Sequence, residues 1–325
     1  MILVIGESND VTCNIVCEYL DSLGANFKRI NEDDFTSLAS FSLGSQEKTE
    51  ITLDEHLDLD KIKIIWHRRG TIRLMPQKLR KTPLNLYQYL KKEEESILKS
   101  IEQNLKRNAK YIGSYFDEVE NYKIEYLELA KSVGFKIPET LITSSKKTLK
   151  SFLEEAGNII CKDIRYPIQI SDDNTNWSSG GTFLVTNEIL NKMEANFFPS
   201  LFQENILKEY EVRIFFFCDK LYPMAIFSQL DEKTALDFRN YNHEKPNRNV
   251  PVILPFEIEK ATRDFISESN LSTGSIDLIV STKLEYYFLE VNPQGQLDWL
   301  SKNCNYYIEE DIAHYLHNYA VTIET

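Results

Sequence analysis

Residues 274–296 read GSIDLIVSTKLEYYFLEVNPQGQ, and this stretch decides the fold of the C-terminal part of the chain. Two apolar runs, 276–280 and 286–292, flank a short polar turn at 282–285. Apolar runs of this length separated by a polar turn predict the two strands of a β-hairpin, on which successive side chains alternate between two faces.

Three side chains with oxygen ligands stand on this hairpin: Asp277, Glu290 and Asn292. Glu290 and Asn292 lie two residues apart and therefore share a face, and closure of the turn places Asp277 directly across from Glu290. Facing carboxylates repel each other, so the pairing predicts a cation between them. A small set of oxygen ligands suits Mg²⁺ that also holds substrate phosphates. The alternative is a solvated polar face of an edge hairpin.

Length, charge and cysteine content exclude several classes of protein. The 325 residues are enough for two or three domains, and the net charge of −13 argues against non-specific binding of nucleic acid. No apolar run approaches the ~20 residues that span a bilayer, and the N-terminus lacks the basic segment of a signal peptide. Five cysteines without a Cys-x-x-Cys pair imply no disulfide framework. We therefore expect a cytoplasmic protein without a membrane or nucleic-acid partner.

The first thirty residues predict a β-α-β unit. An apolar first strand is followed by a helix over 11–23, with Asn9, Asp10 or Thr12 as its cap, and by a second strand at 27–30. Such a unit predicts a parallel sheet. The first turn, Gly-Glu-Ser-Asn-Asp, lacks the spaced glycines of a dinucleotide-binding site.

The rest of the N-terminal third adds a small polar hairpin between residues 41 and 53, a strand at 61–67 and a long charged helix over 84–108. Arg68 and Arg69 follow the strand directly. Paired arginines at a strand end can bind an anionic substrate group or can be surface charges, and the sequence leaves both interpretations open.

The middle of the chain alternates predicted helices and strands, with helices at 120–133 and 146–156 and strands at 135–140 and 158–163. The last of these strands carries Lys162, and a lysine in a buried strand is costly without an anionic partner. The polar loop 171–182 follows and ends in Gly180, Gly181 and Thr182. Its backbone N–H groups can lie against phosphates, although most Ser/Gly loops are only loops.

Beyond this loop, an apolar stretch leads to Glu204, Asn205 and Ile206, and a strand then carries Glu211 and Arg213. The remaining predicted elements are a partner strand at 222–227, a polar connection over 237–250 that includes Arg239 and Arg248, a helix at 257–269 and a final helix at 308–320.

These residues form one ordered set. In chain order, the set consists of a lysine at a helix start (Lys123), a lysine in a strand (Lys162), the Gly-rich loop 180–182, two acids seven residues apart (Glu204 and Glu211) and the acidic hairpin 277–292. The order resembles the ATP-grasp superfamily of carboxylate ligases from about residue 111 to the C-terminus. The resemblance implies ADP-forming ligase activity and an α/β and α+β ATP-grasp fold, in which ATP lies between two α+β lobes.

Roles carried over by position follow from this resemblance. It implies that Lys123, Lys162 and the loop Gly180, Gly181 and Thr182 hold phosphates, that the backbone of Glu204, Asn205 and Ile206 binds adenine, that Glu211 binds ribose, and that Asp277, Glu290 and Asn292 bind Mg²⁺.

A narrower resemblance covers nearly the whole chain. The segments ILVIGESNDVTCNIVCEYL, IIWHRRG, NYKIEYLELAKSVGFKIPET and FLEVNPQGQLDWL are similar to the peptide maturases of graspetide type, such as the microviridin and plesiocin ligases, and above all to the grasp-with-spasm maturases. Members of this group join side-chain carboxylates of a ribosomal precursor peptide to Ser or Thr hydroxyls or Lys amines. The resemblance implies ATP and Mg²⁺ as cofactors, a precursor peptide with a leader as partner, and a homodimer.

Within this chemistry, Arg213 and Arg239 are the candidates to hold the carboxylate or to stabilise the oxyanion, because a bidentate guanidinium suits carboxylate recognition. The alternative for both is an ordinary ion pair. Two other functions stay open: a RimK-like amino-acid ligase that acts on a protein tail or metabolite, and a non-catalytic module that binds a nucleotide or a leader peptide.

The resemblance also divides the chain into three predicted domains. These are an N-terminal α/β (pre-ATP-grasp) domain over 1–112, a central ATP-grasp lobe over 113–203 and a C-terminal lobe with the metal site over 204–325.

Overall fold

The computed structural model describes residues 1–34, 36–42, 50–53, 59–76, 79, 81–165, 169–171, 176–178, 181–229 and 246–322. The chain forms two compact units. Unit 1 consists of residues 1–120 and 293–325, and unit 2 consists of residues 121–292. In the described part of the chain, none of the helices is long and apolar enough to cross a membrane.

Unit 1 is built on a four-stranded parallel sheet with the order β2-β1-β5-β6. Its strands are β1 (Ile2–Gly6), β2 (Phe27–Asn31), β5 (Ile64–His67) and β6 (Lys110–Ile112). β1 and β5 are buried at every residue, as expected of central parallel strands covered on both faces. Helix α1 (Val11–Ser22) connects β1 to β2, and the side chain of Asp10 caps it by accepting from the Cys13 N–H. The predicted β-α-β unit is confirmed.

The other elements of unit 1 surround this sheet. They are the antiparallel hairpin of β3 (Leu38–Ser42) and β4 (Glu50–Leu53), the helices α2 (Leu84–Asn108) and α3 (Tyr115–Val119), a 3-10 turn at Leu59–Lys61, and two C-terminal helices, α8 (Asp298–Cys304) and α9 (Ile308–Thr322). Helix α9 packs against α1 and the central strands. The helices after residue 292 therefore pack with the N-terminal part of the chain, in unit 1.

Unit 2 contains a four-stranded antiparallel sheet with the order β11-β8-β12-β7 and a two-stranded sheet, β10-β9. Its elements are α4 (Lys123–Ser132), β7 (Thr140–Ser145), α5 (Lys146–Ala156), β8 (Ile159–Lys162), β9 (Gln169–Ser171), β10 (Asn176–Ser178), β11 (Phe183–Leu184), α6 (Asn187–Lys192) and β12 (Asn196–Glu204). Leu149 of α5 and Phe202 of β12 lie in its core.

The second sheet of unit 2 has five antiparallel strands in the order β15-β14-β13-β16-β17. They are β13 (Lys208–Phe217), β14 (Lys220–Phe227), β15 (Arg248–Pro251), β16 (Thr273–Ser281) and β17 (Tyr286–Asn292), with helix α7 (Phe256–Ser269) before β16. Val212, Ile214 and Phe216 of β13 face a core shared with α4 and α7. Because side chains alternate along a strand, Glu211 and Arg213 face the opposite side of the sheet.

Several predicted boundaries are wrong. The helix predicted over 120–133 corresponds to α4, which spans only Lys123–Ser132, and the short helix α3 before it was not predicted. The strand predicted at 135–140 begins only at Thr140, because Pro138 lacks the N–H of a ladder residue. The connection predicted over 237–250 ends in strand β15. The loop predicted over 171–182 includes strand β10 and the last residue of β9, which form a hairpin.

The three predicted domains and the two compact units divide the chain differently. Along the chain, the four-stranded sheet of unit 2 ends at Glu204 and the five-stranded sheet begins at Lys208. The predicted boundary between the second and third domains lies at the same point. Residues 293–325 belong to unit 1, whereas the prediction placed them with the metal site. The functional division into three domains stays a prediction.

Candidate active site

Both large sheets of unit 2 line a cavity of about 290 Å³, a volume near the lower end of those that bind small ligands. Eight of the predicted site residues line this cavity: Lys162, Thr182, Glu204, Asn205, Ile206, Glu211, Asp277 and Glu290. These residues come from four separate stretches of sequence, so the fold brings most of the predicted nucleotide and metal ligands to one place.

The hairpin places Asp277 directly across from Glu290, as predicted, but a β-bulge is needed for this register. Near the turn Leu278 pairs with Phe288, and the next pair is Asp277 with Glu290, so Leu289 is an extra residue on β17. Without the bulge, Glu290 would share the face of Phe288, which lies in the helix-covered core. The extra residue turns Glu290 to the cavity side.

A second bulge acts in the same way on β13. Lys208 pairs with Ser281 and Tyr210 with Val280, so Glu209 is the extra residue. Lys208 and Glu211 therefore share the cavity face, although side chains three apart on a regular strand lie on opposite faces.

Each of the two carboxylates of the hairpin is paired with a cation. Arg213 lies opposite Asp277 in the ladder of β13 and β16, and its Nη1 lies 3.4 Å from the Asp277 carboxylate. Lys123 at the start of α4 places its Nζ 3.1 Å from Glu290 Oε2 and donates to the carbonyl oxygen of Asp163 at 3.1 Å. The facing carboxylates thus lie between an arginine and a lysine, which offsets their repulsion.

The side-chain oxygens of the hairpin are ligands of the kind that Mg²⁺ prefers. Asp277 and Glu290 face each other, and Asn292 lies two residues beyond Glu290, opposite Ser275. Among the described residues, no three His, Cys, Asp or Glu side chains are grouped to enclose a metal. Two carboxylates and an amide suit an ion that completes its shell with water and phosphate oxygens.

The segment predicted to bind adenine follows β12. The N–H groups of Glu204 and Asn205 donate to the carbonyl oxygens of Glu139 and Asn158, which fixes the backbone as it enters the cavity wall. The side chain of Gln203 just before it is almost fully buried and donates to Thr140 Oγ1 at 3.0 Å. An adenine base would therefore form hydrogen bonds with other backbone groups of the segment 204–206.

Lys208 was missed by the sequence analysis. Its side chain is buried, lines the cavity and forms an ion pair with Glu211. The signal was the short spacing between a lysine and an acid on one strand, but only the bulge at Glu209 makes the two side chains neighbours.

Two of the predicted site residues have no described position. Arg239 and Gly180 are outside the described residues. Gly181 adopts a φ of +66°, a backbone conformation that favours glycine, directly before Thr182 of the cavity wall. Burial raises the pKa of Cys161 on β8 to about 11, which favours the protonated thiol at neutral pH.

In unit 1, the paired arginines after β5 meet Asp10. Arg68 Nε and Arg69 Nε lie 3.9 Å and 4.0 Å from Asp10 Oδ2, and Arg68 Nη1 donates to the Gln294 carbonyl oxygen at 2.5 Å. Arg68 is buried, so the interpretation as a surface charge is wrong for this residue. Binding of an anion by the pair stays a prediction.

Comparison with known proteins agrees with this geometry. The family model of the MvdD pre-ATP grasp domain matches residues 1–115. A RiPP-associated ATP-grasp ligase of Chryseobacterium gregarium, solved with ADP and a leader and core peptide, is 26% identical, with a TM-score of 0.83 over 97% of this chain and 96% of that chain. The chain has the fold of the RiPP-associated ATP-grasp ligases. The predicted resemblance to the ATP-grasp superfamily and to the graspetide maturases is confirmed.

Two further solved structures share this ATP-grasp fold. Macrocyclase MdnC from Microcystis aeruginosa MRC, bound with precursor peptide MdnA, is 27% identical, with a TM-score of 0.80 over 98% of this chain and 99% of that chain. ATP-grasp ligase PsnB, complexed with minimal precursor, Mg and ADP, is 17% identical, with a TM-score of 0.75 over 98% and 97% of the two chains. No curated protein sequence matches the chain.

Proposed function

We propose that this chain is an ATP- and Mg²⁺-dependent ligase that activates Asp or Glu side chains of a ribosomal precursor peptide and closes ω-ester or ω-amide rings with Ser, Thr or Lys. The observation that carries the proposal is one cavity of unit 2, which is lined by residues predicted to bind the phosphates, the adenine, the ribose and the metal. The likeness to a ligase solved with ADP and a leader and core peptide, and to a macrocyclase solved with its precursor peptide, supports the peptide substrate.

The nucleotide is held by groups from both sheets. Lys123 and Lys162 neutralise phosphate charge, the segment after β12 binds the base, and Glu211 accepts from the ribose hydroxyls. Gly181 and Thr182 cover the phosphates from the end of the polar loop. Positioning and charge neutralisation are the main contributions a protein makes to phosphoryl transfer.

The hairpin supplies the metal ligands Asp277, Glu290 and Asn292. Mg²⁺, when bound, neutralises the charge of the β- and γ-phosphate oxygens. Arg213, held beside Asp277, binds the peptide carboxylate or the oxyanion that forms later. Arg239 is the second candidate for this role.

The reaction needs no covalent catalysis by the protein. A carboxylate oxygen of the peptide attacks the γ-phosphorus and ADP leaves, which gives an acyl phosphate. A Ser or Thr hydroxyl or a neutral Lys amine then attacks the acyl carbon, phosphate leaves with the carboxylate oxygen, and the proton lost by the nucleophile passes to the departing phosphate. The peptide thus loses the elements of one water per ring, and the protein must keep bulk water from the acyl phosphate.

The partner is a precursor peptide with a leader, and we propose a homodimer in the cytoplasm. The three-domain division is proposed as a functional one, with the nucleotide between the lobes 113–203 and 204–325. Light scattering of the purified chain tests the dimer, for which twice the mass of 37.9 kDa is expected.

The decisive experiment first searches beside the gene for a small reading frame rich in Thr, Ser, Glu and Asp, and then incubates the encoded peptide with the chain, ATP and Mg²⁺. The expected result is a peptide lighter by one water per ring, measured by mass spectrometry and dependent on ATP. ATP hydrolysis with free amino acids and no peptide dehydration would instead support the RimK-like ligase. Nucleotide binding without turnover on any carboxylate would support a non-catalytic module.

A further inference from the structure

Lys208 and Glu211 form a buried ion pair in the wall of the cavity. Lys208 is 8% exposed and Glu211 is 6% exposed, and Lys208 Nζ donates to Glu211 Oε1. The bulge at Glu209 brings these two side chains to one face of β13. The pair is therefore a product of irregular strand geometry at the site.

A second group holds the other oxygen of the same carboxylate. Ser228, fully buried directly after β14, donates from its Oγ to Glu211 Oε2 at 3.4 Å. A donor on β13 and a donor directly after β14 thus contact the two oxygens of Glu211. This arrangement fixes the plane of the carboxylate, which can accept several hydrogen bonds when it is ionised.

Burial alone would work against the binding role of Glu211. A carboxylate removed from water favours its neutral form, and a neutral carboxyl group is a weaker acceptor with one oxygen committed to its own proton. The ammonium group of Lys208 favours the ionised form, which accepts through both oxygens.

We infer that Lys208 is a positioning residue for sugar recognition. Lys208 keeps Glu211 ionised and oriented, so that the carboxylate accepts from the vicinal hydroxyl pair of a ribonucleotide. The inference rests on the ribose role given to Glu211 in the proposed function. It adds that selectivity for a ribose depends on a lysine that acts through Glu211.

The test compares dissociation constants for ATP and 2′,3′-dideoxy-ATP, measured by calorimetry with Mg²⁺ and without peptide. The unaltered protein is expected to prefer ATP by about tenfold or more, the typical effect of hydrogen bonds to a charged group. In Glu211→Gln and in Lys208→Met, this preference falls to near one, while the dissociation constant of dideoxy-ATP changes little. Lys208→Arg keeps the charge and retains most of the preference.

Two further variants separate positioning from general effects. Ser228→Ala removes one contact to the carboxylate and should lower the preference only in part, and it keeps the test valid if Lys208→Met fails to fold. Lys136→Met breaks an ion pair with Glu285 on the surface of the same unit, with 57% and 34% of the side chains exposed. This control should leave both dissociation constants unchanged.

Three outcomes would overturn the inference. Equal weakening of ATP and dideoxy-ATP in Lys208→Met would mean that the lysine binds phosphate directly. An unchanged preference in folded Lys208→Met would remove its positioning role, and an unchanged preference in Glu211→Gln would remove the ribose contact. Because no peptide is present, failure of peptide dehydration leaves this binding test intact, so the two proposals can fail separately.

Discussion

Two buried polar clusters, one in each unit, differ in what surrounds their carboxylates. In unit 1, Glu102 accepts from Ser114 Oγ at 2.6 Å and lies 2.7 Å from Lys106 Nζ, beside a void of about 20 Å³. In unit 2, Asp277, Glu290 and Glu211 line a cavity of about 290 Å³. The first void holds about one water, whereas the second admits a ligand.

The unit 1 cluster satisfies its members internally. His67 Nε2 lies 2.8 Å from the Gly70 carbonyl oxygen, and its Nδ1 lies 2.9 Å from the Tyr111 hydroxyl. The carbonyl can only accept, so Nε2 carries the proton and Nδ1 accepts from Tyr111. Burial lowers the pKa of His67, which keeps the ring neutral. Buried charged groups therefore indicate a binding site only when they also line a cavity large enough for a ligand.

The largest effect is expected from the metal ligands of unit 2. Asp277→Asn and Glu290→Gln should each reduce ATP-dependent peptide dehydration by at least about 100-fold, because the loss of one group that stabilises developing charge typically costs this much. Mass spectrometry of the peptide measures the product, and the thermal midpoint reports whether the variant is folded.

A matched control for these variants is Asp264→Asn, which changes an exposed carboxylate on α7 of the same unit. It should retain full activity. Turnover retained by both folded metal-ligand variants would end the assignment of the hairpin as a metal site.

The second prediction concerns Arg213. In Arg213→Ala we expect peptide ligation to fail and ATP binding to survive, together with a loss of about 3 kcal/mol in the free energy of unfolding, because Asp277 is left buried without its arginine. Calorimetry with ATP and denaturant unfolding measure the two quantities. Arg263→Ala, on the exposed face of α7, is the control and should be near neutral. Loss of ATP binding would instead assign Arg213 to the nucleotide.

The third prediction tests the unit 1 cluster. Glu102→Gln should lower the free energy of unfolding by about 1–3 kcal/mol, the cost of a buried hydrogen-bonding group left unsatisfied, and should leave the dissociation constant of ATP unchanged. The exposed Glu95→Gln on the same helix is the control. A large change in ATP affinity for Glu102→Gln would contradict the distinction between the two clusters.

The smallest effect is a pH dependence next to the unit 1 cluster. Burial raises the pKa of Asp117 from 3.8 to about 6. Between these values the folded chain binds more protons than the unfolded chain, so stability falls as the pH rises. Asp117→Asn removes this loss and should be more stable than the unaltered protein by roughly 1–3 kcal/mol at pH 7.

The advantage of Asp117→Asn should shrink as the pH falls through about 6 and vanish below about 4, where the carboxyl group is protonated in both states. Denaturant unfolding at several pH values measures it. A difference between the two proteins that stays constant with pH would show that the carboxyl group does not titrate in this way.

Much of the fold could be predicted from the sequence because its signals are local. Helix α2 spans 84–108 as predicted, and α5 begins at Lys146 after its Ser145 cap, because caps and apolar periodicity act within a few residues. Pairings such as the attachment of residues 293–325 to unit 1 depend on distant contacts, which no local pattern encodes.

The candidate site was also predictable only as far as its signals lie in the order and spacing of residues along the chain. The order of lysines, acids and the hairpin indicated the ATP-grasp resemblance, and eight of the predicted residues share the cavity. The partner of Glu211 could not be identified, because a spacing of three residues on a regular strand separates side chains to opposite faces. Only the observed bulge at Glu209 reverses that rule.

The bulge at Leu289 has a consequence for how this sequence can vary in length. Insertions at the hairpin tip, 282–285, leave the pairing of Asp277 with Glu290 intact, because they lengthen a surface turn. Insertion of one residue between Asp277 and Leu278 would give Leu289 a partner, restore a regular ladder and rotate both carboxylates into the apolar layer beneath α4 and α7. Natural homologues should therefore tolerate length changes at the tip and exclude a one-residue insertion between Asp277 and Leu278.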